Sequence, residues 1–196
     1  DKIRGALFPL AGISQKIEFG TALSYANEVK DKTGIDPAFL LAILTQESNL
    51  GKNVGPCNRP GDPPEKSWRV VMKPTRDQEP FAQITAELGM DTDTTPVSCP
   101  MKDSQGRQVG WGGAMGPAQF IPSTWVLYKD KIANLTGHRP PNPWDPEDAF
   151  AAAALLLSEN GASRGGLANE RLAALRYFAG WKNAETGKWR IAPEPS

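Results

Sequence analysis

Residues 41–51 read LAILTQESNLG, an apolar run that leads into one carboxylate and stops at a glycine. At helical spacing Glu47 shares a face with Leu40, Ile43 and Leu44, so its carboxyl group sits among apolar neighbours. Such surroundings favour the neutral acid and raise its pKa, which is what a general acid near neutral pH requires. The plainer reading of Glu47 is a solvated or capped glutamate at a helix end, and a second group has to decide between the two. Residues 112–125, GGAMGPAQFIPSTW, supply one. Their three glycines and two prolines bracket Met115, Gln119 and Phe120, poor material for a helix but suited to backbone that approaches a ligand closely. Gln119 offers a donor and an acceptor, and Met115 and Phe120 offer apolar faces. That chemistry suits a sugar carrying an N-acetyl group; a tight connection packed on a core is the alternative.

The elements that must position these residues are mostly helical. Ile17, Ala22, Tyr25, Ala26 and Val29 recur at helical spacing between Ser14 and Gly34. A second helix starts with Asp36 as N-cap and Pro37 at the first position, is apolar on every side over 39–44 and therefore central, and stops at Gly51 after Glu47. Residues 52–110 change character: they are turn-rich, with a short helix in EPFAQITAELG and short strands expected in WRVVMK and RQVGWG. They read as an insertion lobe in a single domain spanning 1–196. A helix then runs from Ser123 towards Leu135, stopped by Gly137. The next begins at Asp145 and Pro146, with Asp148 completing an approximate capping box, and its alanine-rich body permits close packing before Gly161. A last helix covers Asn169 to Tyr177, and APEPS reads as a frayed tail or linker.

Composition narrows the function. Lys plus Arg and Asp plus Glu balance at 22 each, with no local basic patch, so nucleic acid is not an expected partner. No apolar run approaches the roughly 20 residues of a membrane span, and the start, broken by Pro9, is no secretory core, so the chain reads as soluble. Cys57 and Cys99 flank the loop-rich excursion; a disulfide and two free thiols are both open, and a disulfide would place the chain in an oxidising, extracytoplasmic compartment. With His138 the only histidine, there is no zinc set, and Asp91 to Asp93 read as a turn. Trp125, Trp144 and Trp181 read as packing residues, whereas Trp68 and Trp111 could pack the insertion or stack on sugar rings.

The motifs ESNLG, GAMGPAQFIPSTW, NPWDPEDAFAAAALLLSENG and ALRYFAG, in that order, resemble lytic transglycosylases of the peptidoglycan-cleaving, lysozyme-like superfamily, most of all the membrane-bound lytic transglycosylase B branch. The resemblance covers roughly residues 15–182 apart from 52–110. It implies a mainly α, lysozyme-like fold with a groove for a glycan strand, Glu47 as sole catalytic acid and base, and Gln119, Met115, Phe120 and Tyr177 lining the sugar sites. It further implies peptidoglycan strands as partner, the bacterial cell envelope as location, a monomer, no cofactor, and membrane contact only through an anchor outside this chain. Two positions depart from the pattern: Gly110 stands where serine is frequent, and Phe178 follows Tyr177 where asparagine is usual. Some members of the branch carry a calcium loop before NPWDP; here Ile132, Asn134 and Thr136 replace its alternating acidic ligands, so no metal is expected. Hydrolysis by a lysozyme-like muramidase, chitinase-like action and a non-catalytic peptidoglycan-binding module are the competing readings.

Overall fold

The structure, a computed structural model, describes residues 16–179; the expected helix start at Ser14, Trp181 and the APEPS tail lie outside them. Helix α1 (Phe19–Thr33) buries Ala22, Ala26 and Val29 and ends at Gly34, whose φ of 72° lets its N–H reach Lys30 O at 2.7 Å. Helix α2 (Pro37–Ser48) begins as expected, with the Asp36 carboxylate accepting the Phe39 N–H at 3.0 Å. It buries Leu40, Leu41, Ile43 and Leu44 but leaves Ala42, Thr45 and Gln46 exposed. The central helix is instead the alanine-rich one.

Residues 52–110 interrupt the helices. WRVVMK is not a strand: Trp68–Val71 form a single helical turn, α3, held by Ser67 Oγ and Asn58 Oδ1, which accept the Arg69 and Trp68 N–H groups at 3.3 and 3.1 Å. Its branched residues find no strand to pair with, and Val71 O accepts the Gly112 N–H at 2.8 Å instead. Helix α4 (Glu79–Glu87) follows, then a two-stranded antiparallel hairpin, β1 (Met101–Lys102) with β2 (Gln108–Val109), in which Met101 faces Val109. Cys57 and Cys99 are joined as a disulfide with Cα atoms 5.2 Å apart. The lobe meets the rest of the chain through Phe81, whose ring lies 5.7 Å from Trp68 and 6.4 Å from Trp144. Trp68, Trp125 and Trp144 are all buried.

Helix α5 (Pro122–Thr136) ends at Gly137. Helix α6 (Pro146–Glu159) is the hub: residues 149–154 and Leu157 are fully buried, and α1, α2, α5 and α7 (Leu167–Ala179) all contact it. Methyl side chains leave room for neighbours on every side, so this helix and not α2 takes the centre. Asp145 caps it by accepting from the Glu147 and Asp148 N–H groups at 2.9 and 3.3 Å. Asp148 does not close the expected box; its carboxylate turns to the Asn142 N–H (2.8 Å) and His138 Nδ1 (3.0 Å). No described helix is long and apolar enough to cross a membrane.

Candidate active site

Glu47 lies in the last turn of α2, partly covered. Among the described residues its carboxyl group has neither a hydrogen bond nor an ion pair, and burial lifts its pKa from the ordinary 4.5 to about 7. The backbone directly after it is tightly determined. Asn49, Leu50 and Gly51 all have positive φ (51°, 52° and 86°), costly for the two that are not glycine. Ser48, 1% exposed, holds this turn: its Oγ accepts the Gly51 N–H at 2.9 Å and donates to Pro117 O at 2.8 Å. That last bond joins the end of α2 to the GAMGPAQF segment, 69 residues further along the chain.

The segment itself is a tight loop in which Met115 and Phe120 pair as an isolated antiparallel bridge, Met115 N–H to Phe120 O at 2.9 Å. Both side chains point inward: Met115 is fully buried and Phe120 is 3% exposed. Phe120 stands at the middle of an aromatic cluster, edge-on to Trp125 (6.0 Å), Tyr128 (5.9 Å) and Tyr177 (6.2 Å). These two residues therefore form the backing of the wall. Gln119 is half-buried at its tip with φ of 55°, and its Nε2 donates to Gly116 O at 2.9 Å. Its Oε1 has no partner among the described residues, leaving an acceptor for a ligand N–H or O–H.

Tyr177, from α7, closes the group. Its hydroxyl donates to Ala118 O at 2.8 Å, next to the Pro117 carbonyl that holds Ser48. Burial, with the charge of Glu47 beside it, pushes its phenol well above the ordinary range, so Tyr177 stays neutral. With its proton committed to Ala118, it neighbours the Glu47 carboxyl without engaging it. The structure thus sets Glu47 beside Tyr177, with Gln119 next in the chain to the Ala118 that Tyr177 holds, and Met115 and Phe120 in the packed backing of the same loop. The chemistry available there is proton donation by a neutral, desolvated acid.

At the two departures from the family pattern, Gly110 has φ of 73° and open space where a side chain would begin, while Phe178 is 42% exposed with its ring 5.9 Å from that of Tyr177. Sequence reasoning missed Ser48 as a link and Asp77, a fully buried carboxylate that accepts from Ser123 Oγ at 2.8 Å and pairs with Arg76 at 2.6 Å. Pro117, which Ser48 reaches, and Ser123, which Asp77 holds, are distant in the chain and carry no local motif. Where the calcium loop would lie, Asn134 Oδ1 accepts from Arg139 at 2.6 Å. His138, Asp145 and Asp148 bring ligand atoms within 4.8 Å of one another, but both carboxylates accept the backbone N–H groups described above. Burial opposes protonation of His138, yet the charge and hydrogen bond of Asp148, with the charges of Asp145 and Glu147, together outweigh it and raise the pKa. A pocket of about 330 Å³ between Glu87, Lys129 and Arg139 shares none of the residues around Glu47.

The fold has a solved counterpart. The soluble lytic transglycosylase SltB1 from Pseudomonas aeruginosa is similar in structure, with a TM-score of 0.52 and 20% sequence identity over 84% of this chain and 48% of that one. The chain has a lytic-transglycosylase-like fold. It spans about half the length of that protein, and at this identity the likeness is one of fold. No protein-family model and no curated protein matches the sequence. The mainly helical, lysozyme-like architecture with a small β insertion agrees with the expectation from the sequence.

Proposed function

We propose that this chain is a peptidoglycan lytic transglycosylase, acting in the bacterial cell envelope on the β-1,4 bond between N-acetylmuramic acid and N-acetylglucosamine. The observation that carries the reading is Glu47: a carboxyl group whose pKa burial lifts to about 7, without a partner among the described residues, beside Tyr177 and near the loop that carries Gln119. The lytic-transglycosylase-like fold and the four sequence motifs support it, and the Cys57–Cys99 disulfide supports an oxidising location.

Most glycosidases employ two carboxylates. Here the reading assigns Glu47 alone: among the described residues Asp145 is committed to a helix cap and Glu159 accepts from Tyr128 and Lys131. A single acid then serves both halves of the reaction. Glu47 donates its proton to the glycosidic oxygen as the bond from C1 of the muramic acid breaks, and the sugar's own N-acetyl oxygen bonds to C1. The resulting Glu47 carboxylate takes the proton of the C6 hydroxyl while that oxygen displaces the N-acetyl oxygen at C1. The product is a 1,6-anhydro sugar, no water is consumed, and Glu47 ends protonated as it began. Gln119 Oε1 is suited to accept from the N-acetyl N–H, while Met115 and Phe120 give the wall its shape.

Mass spectrometry of purified glycan strands digested by the wild type and by Glu47→Gln tests this. Anhydromuramic ends from the wild type and none from the variant are expected. Reducing ends in their place would make the chain a muramidase, and equal digestion by both would remove Glu47 from the chemistry. Binding without cleavage by either would leave a peptidoglycan-binding module, and cleavage of chitin oligomers in preference would move the substrate class.

A further inference from the structure

The two tryptophans of the insertion part company in the structure. Trp68 is 8% exposed, donates its indole N–H to Asp93 at 2.8 Å and lies against Phe81, so it is a packing residue. Trp111 is 47% exposed and, among the described residues, its side chain has no hydrogen bond and no ring contact. Its backbone, by contrast, is pinned on both sides. Gln108 Nε2 donates to Gly110 O at 3.0 Å, Gly112 N–H to Val71 O at 2.8 Å and Gly113 N–H to Ser98 O at 2.8 Å. A side chain at 112 would begin 2.4 Å from Ser98 O, so the chain lies close against its neighbour there, while the space next to Gly110 is open.

An indole ring freely presented on a fixed support has a recognisable use. Exposed apolar surface of this kind marks contact sites, and a support that is already ordered lowers the cost of binding. The flat indole face matches the C–H face of a pyranose ring, and its N–H is left to donate to a hydroxyl or carbonyl group. Met101 and Val109, cross-strand partners on the hairpin that precedes Trp111, are 69% and 43% exposed as well.

The position fits a polymer that also reaches Glu47. Trp111 lies six residues before Pro117, whose carbonyl is bonded to Ser48 beside Glu47. Even fully extended, six residues reach at most about 21 Å, within the span of a few sugars of one strand. We propose that Trp111 is a sugar-stacking platform, an additional subsite supplied by the insertion that holds a pyranose ring of the glycan strand away from the bond being cleaved. The proposal deepens the reading of Glu47 as the cleaving acid and rests on it for the identity of the polymer.

Binding measured in a Glu47→Gln background, where strands stay intact, tests it separately from catalysis. Long peptidoglycan glycan strands and short oligomers of the same sugars are titrated against Glu47→Gln alone and combined with Trp111→Ala or Trp111→Phe. Trp111→Ala is expected to reduce the preference for strands over short oligomers roughly three- to tenfold, and Trp111→Phe, which keeps a ring, to restore most of it. Equal preference with and without the indole, or no binding of strands by the Glu47→Gln chain, overturns the platform. If the Glu47→Gln variant cleaves like wild type, the reading of Glu47 fails; the same preference, read with Trp111→Ala against the parent on strands under conditions too brief for cleavage, then decides on Trp111.

Discussion

At Glu47 burial couples protonation to stability and, in the proposed reaction, to cleavage as well. In an unfolded chain Glu47 ionises near 4.5, and in the folded one near 7. Between those values the folded state holds a proton the unfolded state lacks, so stability falls as pH rises through the window. The penalty is absent below 4.5 and reaches about 3 kcal/mol above 7. Glutamine keeps the shape without the charge, so Glu47→Gln is expected to melt higher than the wild type at about pH 8.5 and level with it at about pH 4. Thermal melts at the two pH values check this, and a difference independent of pH would mean that Glu47 is not a buried acid. Cleavage by the wild type should fall on the alkaline side of pH 7 as the acid loses its proton. The apolar setting of Glu47 was legible in the sequence because Leu40, Ile43 and Leu44, which share its helix face, are buried as that spacing requires.

Between elements, the contact that decides the geometry of the wall is a glycine. A side chain at Gly116 would begin 1.8 Å from Pro143 O, at a φ of 61° that already disfavours one, whereas at Gly110 it would meet nothing within 4 Å. Gly116→Ala is therefore expected to cost roughly 3 kcal/mol or more, by forcing apart the wall and the loop that leads into α6. Gly110→Ala carries only the backbone strain, about 1 kcal/mol. Urea unfolding of the two variants compares them, and equal losses would remove the close approach as the cause. What the sequence revealed of the elements follows the same division between local and distant. Asp36, Asp145, Gly34 and Gly137 announce helix ends because a cap is satisfied within a turn of the residue that makes it. The valines of WRVVMK suggested a strand, but a strand needs a partner, and none was supplied. Likewise the apolar body of α2 suggested a central helix, yet position in a core is set by what the neighbours can approach, and the alanines of α6 admit more of them. Ser48 with Pro117 and Asp77 with Ser123 were invisible for the same reason: each joins segments dozens of residues apart.

For the molecule as a whole, the insertion is tied into the site and does not hang from it. Asp77 meets the start of α5 through Ser123, Phe81 reaches Trp144, and residues 97–98 lie between two other segments. On one side Val97 and Cys57 exchange both backbone hydrogen bonds at 3.0 and 3.1 Å; on the other, Ser98 pairs with Gly113 and Ala114 at 2.8 and 2.9 Å. Gly113 and Ala114 lead directly into Met115, and Cys57 lies in the chain that leaves Glu47, so both edges of the site converge on this one segment. The Cys57–Cys99 bond locks it in place. Closing a loop of 42 residues is worth about 4 kcal/mol through the entropy of the unfolded chain. The Cys57→Ala, Cys99→Ala double variant, or the wild type after reduction, is thus expected to melt markedly lower. Because the segment also backs the wall, cleavage should decline at temperatures where circular dichroism still reports a folded chain. A reduced protein that melts lower but cleaves strands at the full rate while folded would confine the disulfide to stability and leave the hydrogen-bonded segment sufficient to hold the wall.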